Sequence, residues 1–176
     1  RTHLDRVSEE WRALGDSWGI AVTLSLRGQL RLLDGDLDGA LGDFQDSRAR
    51  SGRLGNSADE LLLLTRLGDL ALRKGDVATA RAMAEATQHW RAPAGREQLR
   101  DILTLCLRAE IALFARDPDP AGPAAVEAPL RESLERTPAP NPFESHAHAV
   151  GYATLARLRA LSGDLAQARA DLDVAY

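Results

Sequence analysis

The stretch Gly35-Asp36-Leu37-Asp38-Gly39-Ala40-Leu41 decides the fold, because it comes back. Gly35-Asp36-Leu37 recurs forty positions on as Gly75-Asp76-Val77, and again as Gly163-Asp164-Leu165. Leu14-Gly15-Asp16-Ser17 likewise returns as Leu54-Gly55-Asn56-Ser57. A fixed period of this size marks a stacked-repeat architecture, in which each unit buries its apolar face against its neighbours.

Around that turn each unit reads as helix A, Gly-Asp, helix B and a looser Gly-containing loop. The glycine can take the left-handed conformation that ends helix A. The aspartate that follows is placed to cap helix B through its free amides. Within helix A one position is always small: Gly28, Gly68, Ala109 and Ala156. Two residues later it is always aliphatic: Leu30, Leu70, Ile111 and Leu158. Four residues before it stands a large apolar residue: Leu24, Leu64, Leu105 and Tyr152. Gly inside a helix costs about 1 kcal/mol relative to Ala, so the small column predicts a partner helix close against the backbone. Helix B has its own column: Ala40, Ala80 and Ala168, then Phe44, Ala84 and Leu172.

The third unit departs from this pattern. Arg116-Asp117 replaces Gly-Asp, and Pro118 and Pro120 follow. Gly122-Pro123 argues against helix there, so helix B of that unit is expected to start later, on the stripe Val126, Leu130, Leu134. Pro129 either opens that helix or kinks it. Residues 117–123 and 138–142 read as two irregular stretches, either long loops or docking loops. Arg1 to Leu14 reads as helix B of a truncated unit, giving units at about 1–15 (partial), 16–55, 56–95, 96–138 and 142–176 and about eight helices. The chain reads as one domain, and as a fragment of something longer. The expected fold class is all-α, a right-handed superhelical stack of antiparallel helix hairpins.

Composition narrows the function. Ala and Leu dominate, aromatics are 5% and the net charge is -4, which suits a helical protein without a nucleic-acid-binding field. No apolar run approaches the ~20 residues of a membrane span, and no signal peptide is visible. The lone Cys106 excludes an internal disulfide and reads as a small core residue. There is no phosphate loop, dinucleotide fingerprint or metal-binding helix motif. His146 and His148, two apart, point to different sides of a helix. Glu9-Glu10, Asp34 with Asp36, and Asp171 with Asp173 read as solvated charges or caps. Trp11, Trp18 and Trp90 read as packing against interunit loops. No catalytic residue, cofactor or metal is expected.

Gly-Asp-Leu-x-x-Ala after a helix with a Leu-x-x-x-Gly/Ala centre resembles the tetratricopeptide repeat over nearly the whole chain. The units are longer than the usual ~34 residues. Leu14 to Ala21, with Gly35 to Leu41, is similar to repeat regions of large actinobacterial transcription regulators of the Streptomyces antibiotic regulatory protein and ATP-dependent LuxR types. The resemblance implies a cytoplasmic interaction module whose concave face is lined by helix A. In that register Ser25, Gln29, Thr65, Asp69, Arg73, Cys106, Glu110 and Arg157 face inward, a polar strip of mixed sign. It suits a protein partner or a sister domain of the same chain. A small-molecule effector is the alternative, and open repeat ends would favour self-association. Direct nucleic-acid or membrane binding is not expected.

Overall fold

A computed structural model describes residues 2–55, 57–114, 122–136 and 142–175. Those residues form nine helices and no strand: α1 (Thr2–Ala13), α2 (Ser17–Leu33), α3 (Leu37–Arg53), α4 (Ser57–Arg73), α5 (Val77–His89), α6 (Glu97–Phe114), α7 (Gly122–Glu135), α8 (Pro142–Ser162) and α9 (Leu165–Ala175). The count exceeds the expected eight by one. Among the described residues no helix is long and apolar enough to cross a membrane. The chain divides into two compact units, Arg1–Met83 and Ala84–Tyr176.

The turns close as their sequences require. Gly35 and Gly75 sit at φ 80° and 79°, conformations in which a Cβ would be strained, and Gly163 does the same at 91°. Each is followed by the reciprocal bonding of a Schellman turn. Asp36 N–H donates to Arg31 O at 2.8 Å and Gly35 N–H to Leu32 O at 3.3 Å; Asp76 donates to Ala71 O at 2.8 Å and Asp164 to Arg159 O at 3.0 Å. The aspartates then cap the next helix. Asp36 accepts from Gly39 N–H at 3.0 Å, Asp76 from Thr79 N–H at 2.9 Å and Asp164 from Gln167 N–H at 3.1 Å.

In the first unit α2 packs on α1 and α3, and α3 on α4. Gly28 explains its own smallness: a Cβ there would lie 2.6 Å and 2.7 Å from two ring carbons of Phe44, a fully buried side chain. Phe44 joins Leu32, Ala40, Leu63, Leu67 and Leu70 in one core cluster, with Met83 packed on it. The same hairpin holds a buried ion cluster that the sequence reading did not foresee. Asp43, 3% exposed, accepts from Arg27 Nε and Nη2 at 2.9 and 2.6 Å, and pairs with Arg31 Nη1 at 3.0 Å.

In the second unit α6 packs on α7 and α8, α7 on α8, and α8 on α9. The three helices α6, α7 and α8 meet at Gly151, where a Cβ would lie 2.7 Å from Leu134 Cδ2 and 3.3 Å from Ile102 Cγ2. Two expectations fail here. Helix α7 begins at Gly122, not near Val126. Pro123 sits in the first turn, where its missing N–H costs nothing. Pro129 lies inside α7 at an exposed position and does not open the helix. Asp171 is not a solvated charge: it is 4% exposed and accepts two bonds from Arg159 Nη1, at 2.9 and 2.7 Å. Asp173 is exposed, as expected. Leu130 and Leu134 are buried, and Val126 is half-buried. The expected irregular residues 117–121 and 138–141 lie outside the described residues, and Pro142 opens α8.

The two buried ion pairs occupy one register. Arg31 and Asp43 stand three and fifteen residues after Gly28; Arg159 and Asp171 stand three and fifteen after Ala156. The hairpin of α4 and α5 carries Ala71 and Met83 at those places.

Candidate functional site

Within the first unit the expected helix-A residues are largely engaged by neighbouring side chains and backbone. Ser25 is only 8% exposed, and Arg66 of α4 donates to its hydroxyl. The Gln29 amide oxygen, turned to satisfy both groups, accepts from Arg66 Nε and Nη2 at 2.8 and 2.7 Å. Burial holds the Arg66 guanidinium below its ordinary pKa, with the charge of Asp59 opposing. Burial raises the Asp59 carboxyl, while a hydrogen bond from Trp18 and the charge of Arg66 pull it down. Thr65 turns its hydroxyl back to Leu62 O at 2.8 Å, and Asp69 pairs with Arg73 at 3.1 Å. A pocket of about 130 Å³ beside Ser25, Asp59 and Arg66 is too small for an organic effector.

In the second unit Cys106 is 5% exposed, so it belongs to the core rather than to a partner-facing strip. Burial pushes its thiol up to about 12, opposed by a hydrogen bond with Thr154 and assisted by the charge of Glu110. Glu110 pairs with Arg157 across α6 and α8.

These contacts repeat in register. Arg66 stands two residues before Gly68 and reaches Ser25, three before Gly28. Thr154 stands two before Ala156 and reaches Cys106, three before Ala109. So the side chain two before the small residue meets the preceding helix A in each compact unit. Arg66 lies outside the expected set, in which Thr65 and Asp69 repeat the positions of Ser25 and Gln29 forty residues on. The face α2 turns toward α4 differs from the face α4 turns toward α2.

That register exposes an anomaly on α2. The always-aliphatic position is buried at Leu70, Ile111 and Leu158, at 1%, 7% and 2%, but Leu30 is 46% exposed. Leu26 is 44% exposed, Leu33 76% and Trp18 50%. With half-buried Val22 between them, they line one side of α2 at helical spacing. Trp18 is thus more open than its expected loop packing, whereas Trp90 is buried at 7%. Trp11 packs on helix α2 rather than on a loop, its ring lying where a Cβ on Gly19 would be.

A second feature is a cleft of about 730 Å³ walled by α3, α4 and α5 within the first unit. Leu41, Leu67, Leu70, Ala71 and Met83 form its floor. Arg48, Glu60, Lys74, Asp76 and Thr79 stand around its mouth. Arg48 pairs with Glu60 at 3.4 Å and Lys74 with Asp38 at 2.6 Å.

Among the described residues no group of three or more His, Cys, Asp or Glu is placed to hold a metal. His146 is exposed and His148 is 8% exposed. No protein-family model, curated protein or solved structure matches the chain.

Proposed function

We propose that this chain is a non-enzymatic helical-repeat module of a multidomain bacterial transcription regulator, acting in the cytoplasm by binding a protein partner or a sister domain of its own chain. The proposed architecture is a tetratricopeptide-like superhelical stack. The contact of Arg66 on Ser25, matched by Thr154 on Cys106, supports that reading at the level of side chains.

One observation carries the binding role: the apolar side of α2. Large apolar side chains 44–76% exposed along one helix are costly to leave in water, at roughly 25 cal/mol per Å². The counterparts of Leu30 on α4, α6 and α8, namely Leu70, Ile111 and Leu158, are buried, whereas Phe114 and Leu161, at the place of Leu33, are exposed as it is. Contiguous exposed apolar surface of this kind marks an interaction site. The polar strip around Ser25 and Gln29 then orients α4 against α2 rather than meeting the partner. Affinity capture from cells that make the native protein tests this, comparing wild type with Leu26→Glu/Leu30→Glu. A protein retained by the first and lost from the second supports the reading. Identical retained sets oppose it.

The cleft favours a second reading, a small-molecule effector sensor. Its volume falls within the ~300–1,000 Å³ of ordinary ligand pockets.

A further inference from the structure

We infer that the cleft between α3, α4 and α5 binds a neutral, aliphatic-bodied small molecule carrying hydrogen-bonding groups along its edge. This rests on the effector-sensing reading and names its site and ligand class.

The cleft has an origin in the repeat register. At the places where Arg31 meets Asp43 and Arg159 meets Asp171, the α4–α5 hairpin has Ala71 and Met83. Both line the cleft floor. Exchanging a guanidinium for a methyl group removes most of the volume that would fill this space. Exchanging the carboxylate for a thioether replaces a fixed charge with a pliable apolar surface. The hollow is therefore local to the one hairpin in the first unit that lacks the ion pair, and it is apolar rather than charged at its base.

Floor and mouth together define the ligand. The floor is aliphatic with a methionine and no aromatic ring, so it offers dispersion contact without a stacking platform. Arg48, Lys74, Glu60 and Asp76 stand at the mouth, Arg48 paired with Glu60, Lys74 with Asp38, and Asp76 bonded by Thr79. An anionic ligand gains from one sign and loses to the other, and so does a cationic one. A neutral molecule can accept from Arg48 or Lys74 and donate to Glu60 with no net charge to bury. Seated there, it would touch α3, α4 and α5 together and favour the arrangement that holds them.

Titration of the full chain with the neutral solvatochromic dye Nile red tests this, followed by displacement with 1-decanoylglycerol and with decanoate. Two variants close the cleft by different routes. Gly52→Phe adds a ring on the α3 wall, where a Cβ meets nothing within 4 Å. Ala71→Arg/Met83→Asp installs the ion pair of the sister hairpins. The expected result is saturable dye binding, at least tenfold weaker in each variant that keeps the wild-type helical circular dichroism. Decanoylglycerol should displace the dye at least fivefold better than decanoate. Binding that survives Gly52→Phe unchanged overturns the site but leaves effector sensing standing. Decanoate displacing as well as the glycerol ester overturns the ligand class. If wild type binds neither dye nor competitor, site and effector reading fall together.

Discussion

Gly28→Ala is the sharpest test of why the small column exists. The added methyl would meet Phe44 ring carbons at 2.6, 2.7 and 3.2 Å. Phe44 is 0% exposed and wedged among Leu32, Ala40, Leu63 and Leu67, so its ring has no vacant direction. Two effects oppose each other. Replacing a helical glycine by alanine gains about 1 kcal/mol of propensity. Overpacking a core costs about 1–3 kcal/mol. Gly42→Ala measures the first effect alone, because a Cβ there meets nothing within 4 Å; it should stabilise by up to about 1 kcal/mol. Gly28→Ala should forfeit that gain and destabilise by up to about 2 kcal/mol net. Phe44→Leu alone should cost roughly 1–2 kcal/mol by leaving a cavity. In the double variant the new methyl enters space the ring vacates, so the combined loss should fall short of the sum by about 1 kcal/mol or more. Urea unfolding followed by tryptophan fluorescence reads this, since Trp11 and Trp18 lie in the first unit. Gly28→Ala stabilising as much as Gly42→Ala, or the pair adding within ~0.4 kcal/mol, would refute the close-contact reasoning.

Asp171→Ala should destabilise by about 1–3 kcal/mol, because it removes two bonds from the 9%-exposed Arg159 and leaves it only Glu127 at 3.2 Å; Arg159→Met/Asp171→Leu should recover most of that loss in urea melts. Native Cys106 should resist iodoacetamide at pH 8, since a thiol raised to about 12 is only about one part in ten thousand thiolate there; rapid labelling without denaturant would contradict its burial. Asp76 is held below its ordinary value of 3.8 by the side-chain and backbone hydrogen bonds from Thr79. A depressed folded value gives stability that is present above the ordinary value and lost as pH falls through the folded one. Asp76→Asn should therefore be less acid-sensitive below pH ~4, measured as the change in urea midpoint with pH.

What the sequence made legible is what repeats locally. The Gly-Asp turns, their caps and the crowding at Gly28 all follow from residues within one hairpin. The start of α7 was misjudged because Gly122-Pro123 reads as a breaker, yet proline is at home in a first turn. The buried ion pairs are not legible from adjacent residues, since Asp171 stands beside Asp173 but binds Arg159, twelve residues earlier. The same spacing from Arg31 to Asp43 was the available signal. The burial of two residues of the expected strip was illegible for a different reason. Burial of Ser25 and Cys106 depends on which side chain the next helix A brings over them, and periodicity within one helix does not carry that.

A photo-activatable cross-linker placed at Leu30, with Arg53 as an exposed control position, tests the proposed binding role of α2 most directly. In the native protein within its own cells, mass spectrometry should find adducts from position 30 concentrated on one protein segment and absent from position 53. Adducts that are equally scattered from both positions, or none from position 30, would contradict it.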